Sequence, residues 1–63
     1  MFTTPDFTIY SLGQQHYDVF FGMGWDNWSR FRRENHILKL IKGRPMPKDL
    51  YETLLKEMNH VSN

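Results

Sequence analysis

The fold turns on DNWSRFRRENHILKLIK, residues 26 to 42, because the same stretch reads in two ways. Read as a helix, it has a start and a stop. Asp26 is placed to cap exposed backbone N–H groups. Lys39 and Lys42 precede Gly43, with Pro45 just beyond, and helices commonly stop in this manner. Trp28, Phe31, Asn35 and Leu38 then fall on one helical line, but Ile37, Leu40 and Ile41 point away from it. The apolar arc is wide, and it changes direction near Arg33-Glu34-Asn35-His36. A single helix buried on a broad face is the first reading. Two shorter elements broken at RENH, read as strands, are the alternative, because periodicity alone does not assign short apolar runs.

On the N-terminal side, FTIYSL (7 to 12) and HYDVFFG (16 to 22) are rich in aromatic and β-branched residues, with Gly13-Gln14-Gln15 between them. That pattern predicts a β-hairpin. A three-residue loop pairs Ile9 with Val19 and Phe7 with Phe21, and places those four on one face with Tyr17. The opposite face then shows Thr8, Tyr10, His16 and Asp18. Gly13 at the first loop position better suits a two-residue type II′ turn, so the sequence leaves the register open.

On the C-terminal side, Pro47 opens a helix at a position where its missing N–H costs nothing. Leu50, Tyr51, Leu54, Leu55 and Met58 share one face of it, with Asp49, Glu52, Thr53, Lys56 and Glu57 on the other. A helix this short needs a docking partner, and the hairpin is the nearest one. The expectation is therefore a small α+β domain over residues 1 to 63, with loose ends at 1–5 and 60–63. In it an N-terminal β-hairpin packs against one or two helices. The alternative is a three- or four-stranded antiparallel sheet with one C-terminal helix.

With 63 residues there is room for one small core, and ten aromatic residues offset the size because each ring buries much apolar area. Cysteine is absent, which removes disulfides and thiolate metal sites together. No apolar run is long enough to span a bilayer, and MFTTPDF lacks the basic start of a signal peptide, so a cytoplasmic protein without a membrane partner is expected. Charge is unevenly distributed behind a net of +1. Residues 25 to 48 carry Arg30, Arg32, Arg33, Lys39, Lys42, Arg44 and Lys48 against Asp26 and Glu34, whereas both flanking segments are net acidic.

Gly22-Met23-Gly24 invites comparison with phosphate-binding loops. Asn27 stands where the dinucleotide fingerprint has its third glycine, and no Lys-Ser/Thr pair follows, so a flexible exit from a strand is the better reading. Trp25, Trp28 and Phe31 are interleaved with Arg30, Arg32 and Arg33. Bases stack on exposed rings while guanidinium groups hold phosphates, which is one use for such a pattern. The favoured reading makes both tryptophans anchors of the small core, with the arginines as its wet face. Catalysis has little support. His16, His36 and His60 are scattered, no serine sits in a nucleophile elbow, and only His36 beside Glu34 offers a weak general-base or metal pairing.

Gln14, Tyr17, Phe20 and Phe21 have the spacing of a glutamine, an apolar residue three on, and two adjacent aromatics. This resembles the short peptide by which many replication proteins bind sliding clamps, and the resemblance implies clamp binding through residues 14 to 21. It departs from the pattern at Tyr17, where an aliphatic residue is expected.

These readings converge on a small non-enzymatic binding protein without a cofactor or metal. It would act by occupying a surface of a larger protein, as regulators, inhibitors and accessory factors do, including those carried by phages. Tyr10, Phe20, Phe21, Trp25 and Trp28 are its candidate contacts. The competing reading is a nucleic-acid-binding module carried by Arg30, Arg32, Arg33 and Lys39 with a stacking tryptophan. An uncovered Leu50/Leu54/Met58 face would allow a homodimer through the C-terminal helix.

Overall fold

The computed structural model describes residues 1 to 61, and side chains through Asn59. The chain forms β1 (Phe2–Thr3), β2 (Phe7–Gly13), β3 (His16–Phe21), β4 (Trp28–Glu34), β5 (Ile37–Gly43) and α1 (Lys48–Val61). The strands make one antiparallel meander in the order β1-β2-β3-β4-β5, and α1 lies across one face of it. The class is α+β, in the form of a sheet with one C-terminal helix.

Residues 26 to 42 are thus a second hairpin and not the single helix of the first reading. The alternation decides it. Ser29 and Phe31 point into the core, while Trp28, Arg30 and Arg32 point out. As strands, these residues also give β3 a partner on its free edge, which a helix would have left unpaired. RENH is the turn: Glu34 pairs with Ile37 across Asn35-His36, and Asn35 adopts a left-handed φ of 59°, which asparagine tolerates. Gly43 and the lysines before it imitate a helix stop, but they close a strand. A bulge at Ile41 sets Leu40 opposite Phe31 and Lys42 opposite Arg30.

The first hairpin takes the register of the three-residue loop, with Ile9 opposite Val19 and Phe7 opposite Phe21. It reaches that register differently. Gly13 pairs with His16 around a tight Gln14-Gln15 turn, and Leu12 is the extra residue of a bulge. Gly13, Gln14 and Gln15 have φ values of 85°, 53° and 67°. Left-handed backbone suits glycine but costs other L-residues roughly 1–2 kcal/mol each. Gln14→Asn combined with Gln15→Gly is therefore expected to stabilise the protein by about 1 kcal/mol, seen as a rise of about 4–8 °C in Tm. A Tm at or below that of the parent would count against this turn.

The core is formed by Phe7, Ile9, Val19, Phe21, Phe31 and Leu38 from the sheet, with Leu54 and Met58 from α1. Phe2, Tyr17, Met46, Leu50, Tyr51 and Leu55 pack around them. The helix face that would have served a homodimer is thus covered from within the chain. Tyr51 fastens α1 to β5: its hydroxyl donates to the Leu38 carbonyl at 2.6 Å and accepts from the Leu38 amide at 3.1 Å. Arg33 Nη2 donates to Asn59 Oδ1 at 2.8 Å and ties β4 to the last turn. Phe2 and Thr3 pair with Ile9 and Thr8, so the first five residues are not a loose end. Helical backbone continues through 60 and 61, and the remainder of the expected tail, residues 62 and 63, lies outside the described residues.

Candidate functional site

With one face of the sheet under α1, the other is open to solvent, and strand pairing arranges it in rows. Thr8, Phe20 and Trp28 form the first; Tyr10, Asp18, Arg30 and Lys42 the second; His16, Arg32 and Lys39 the third. Aromatic side chains gather toward the end nearest the β3–β4 loop, cations occupy the middle, and the paired Glu34 and Ile37 close the far end.

The Tyr10 and Phe20 rings meet edge to face, with centroids 5.6 Å apart and planes at 78°. Next to them, the Arg30 guanidinium lies 5.8 Å from the Trp28 ring centre. Arg30 also binds Asp18 through two bonds, Nε to Oδ1 at 2.8 Å and Nη2 to Oδ2 at 3.2 Å. Hydrogen bonding to Asp18, and then the charge of Asp18, raise the pKa of Arg30 above its already high ordinary value against a smaller effect of desolvation. The side chain stays charged and is held over the Trp28 ring. Arg32 reaches Glu34 only at 3.9 Å, and Lys39 and Lys42 join none of the ion pairs found among the described residues. The face is therefore aromatic in one corner and carries more cations than the two acids, Asp18 and Glu34, that pair with Arg30 and Arg32, while the exposed side of α1 carries Asp49 and Glu52.

Most of the residues singled out from sequence meet here. Tyr10, Phe20 and Trp28 share this face with Arg30, Arg32 and Lys39. Two do not. Phe21, 7% exposed, is in the core, and Arg33 points to the opposite face toward Asn59. Trp25 and Trp28 are not core anchors: Trp28 is half-buried on the outer face, and Trp25 is 86% exposed. Lys42 and His16 complete the rows and were not singled out. Alternation along the first hairpin already puts His16 on this face, whereas Lys42 joins Lys39 there only through the bulge at Ile41.

The loop between β3 and β4, residues 22 to 27, is tightly held. Gly22 and Gly24 take φ values of 70° and 101°. Asn27 donates to the Met23 carbonyl and accepts from Arg44, which also approaches Asp26 at 3.5 Å. The Phe21 amide donates to the Asn27 carbonyl at 3.0 Å. Met23 and Trp25 project from this frame at 91% and 86% exposure.

The clamp-peptide spacing is present, but the strand splits it. Tyr17 and Phe21 point inward and Phe20 outward, so the adjacent aromatics cannot enter one pocket while β3 is paired. No group of three or more histidine, aspartate or glutamate side chains among the described residues is placed to hold a metal ion. His36 stands at the β4–β5 turn, and the side chain of His60 lies outside the described residues. No described helix is long and apolar enough to cross a membrane. Comparison with protein-family models, curated proteins and solved structures gives no match.

Proposed function

We propose that the chain binds single-stranded nucleic acid across the outer face of its sheet. The observation that carries this reading is the placement of Tyr10, Phe20 and Trp28 on the same open face as Arg32, Lys39 and Lys42; Arg32 has a long ion pair to Glu34 at 3.9 Å, and the two lysines join none of the ion pairs among the described residues. Single strands are held by two features together: aromatic rings on which unpaired bases stack, and cations that follow the backbone. Duplex bases are already stacked on one another and offer such rings little. Rings and cations are thus aligned by the sheet before any ligand arrives, which reduces the entropy lost on binding.

The test is fluorescence anisotropy with labelled single-stranded DNA, single-stranded RNA and duplex over a salt series. Single strands are expected to bind best and to weaken steeply with salt. Arg32→Ala combined with Lys39→Ala should reduce the slope of log K against log salt by about 1.4, two phosphate contacts at about 0.7 each. Failure of every oligonucleotide to bind at low salt, or a slope unchanged in the double variant, overturns the proposal. A cellular partner that survives nuclease and is lost with Tyr10→Ala would instead assign the face to the surface of a larger protein.

A further inference from the structure

We infer that the bound strand does not end on the sheet but continues onto the β3–β4 loop, where Trp25 supplies a further stacking ring. This deepens the reading of the outer face and rests on it. The loop joins Phe21 to Trp28, so it leaves the sheet at the end where Phe20 and Trp28 stand side by side, away from His16, Arg32 and Lys39. A strand whose backbone lies along the cations and whose bases reach the aromatic corner therefore meets this loop next.

Three further observations support a contact there. First, Trp25 is held out at 86% exposure although the loop beneath it is fastened by Asn27, Arg44 and the Phe21 amide. Its exposure is thus a property of an ordered turn and not of a loose end. Second, Gly22 and Gly24 take the left-handed backbone that lets the loop present this ring at no steric cost. Third, Arg44, paired with Asp26 at 3.5 Å, lies at the base of the loop with its side chain half open, and Lys42 is two residues before it, so the basic strand leads to the loop. The loop backbone that carries the ring is held before any ligand arrives, and each base stacked on an aromatic side chain typically changes affinity by roughly five- to 150-fold on alanine substitution.

The footprint measures this directly. Oligothymidylates and oligouridylates of about two to ten nucleotides, spanning the site sizes of single-strand binders, are titrated against the parent protein, Trp25→Ala and Trp28→Phe. The shortest ligands that bind should have equal affinity for the parent and Trp25→Ala, whereas longer ones should bind Trp25→Ala about five- to 150-fold more weakly. In Trp28→Phe, Trp25 is the only tryptophan, and its fluorescence should be quenched by long oligonucleotides and not by short ones. Equal affinities of parent and Trp25→Ala at every length overturn the inference while leaving the reading of the face intact. So does an equal loss at every length, or an unquenched Trp25. If the parent binds no oligonucleotide, the reading of the face falls and this inference falls with it. An unchanged Tm for Trp25→Ala confirms that the variant remains folded.

Discussion

Leu54→Ala is expected to leave most of the chain unfolded at room temperature. Leu54 has no exposed surface and sits where α1 meets the sheet, in the cluster that also holds Ile9, Val19 and Phe31. Removing a buried leucine down to its Cβ costs about 2–5 kcal/mol, the lost transfer energy plus the cavity left behind. A single core in a chain of this size supplies only about 3–5 kcal/mol in total. Full burial puts Leu54 toward the upper end of that range, where the loss matches the whole stability and abolishes cooperative folding. Far-UV circular dichroism with thermal melting provides the check. The volume-conserving Leu54→Met should melt close to the parent, with a cost below about 1.5 kcal/mol. A cooperative melt for Leu54→Ala within a few degrees of the parent would mean that α1 contributes little to the core.

Gly43→Ala is expected to be nearly as damaging, for a steric reason. A Cβ on Gly43 would stand 2.6 Å from the Trp28 carbonyl oxygen and 3.1 Å from two carbons of the Trp28 ring. The carbonyl is held by the Arg44 amide at 2.9 Å, so neither backbone has room to retreat. The φ of 95° adds backbone strain that glycine alone escapes. Together the two effects should cost roughly 2–4 kcal/mol. Gly13→Ala separates them. Gly13 has a similar φ of 85°, but nothing lies within 4 Å of its added Cβ, so only the backbone strain remains. Denaturant titration of both variants should show Gly43→Ala as clearly the worse. Equal losses would remove the close contact with Trp28 as the cause.

Those two sites also show how much of the fold was legible in the sequence. The helix containing Leu54 could be read directly, because its apolar residues recur at helical spacing and Pro47 marks its start. The inner face of the first hairpin was legible too, since Phe7, Ile9, Val19 and Phe21 alternate strictly. Gly43 was misread. A glycine after lysines and before a proline has the same local appearance whether it ends a helix or lets a neighbouring indole lie against a strand. Only the long-range pairing of Ser29 with Gly43 distinguishes them. The outer face was legible as a composition of arginines and aromatics, but not as a surface. Its rows depend on register, and register depends on the Leu12 and Ile41 bulges, which no local pattern announces. Arg33 illustrates the consequence. It belongs to the same basic run as Arg32, yet one step along a strand turns it toward Asn59 and away from the candidate site.

The hydroxyl of Tyr51 has a role beyond fastening the helix. β5 is an edge strand of seven residues, and Ile37, Leu40 and Ile41 are exposed along it. Such an edge invites pairing with strands of other molecules, the first step of aggregation. At Leu38 that invitation is withdrawn, because both the amide and the carbonyl are already bonded to one phenol from the chain's own helix. An incoming strand would have to displace Tyr51 before it could extend its ladder past this point, and the bulge at Ile41 bends the remaining edge away from a straight partner. The side chain that docks the helix thus also guards the sheet against its own kind.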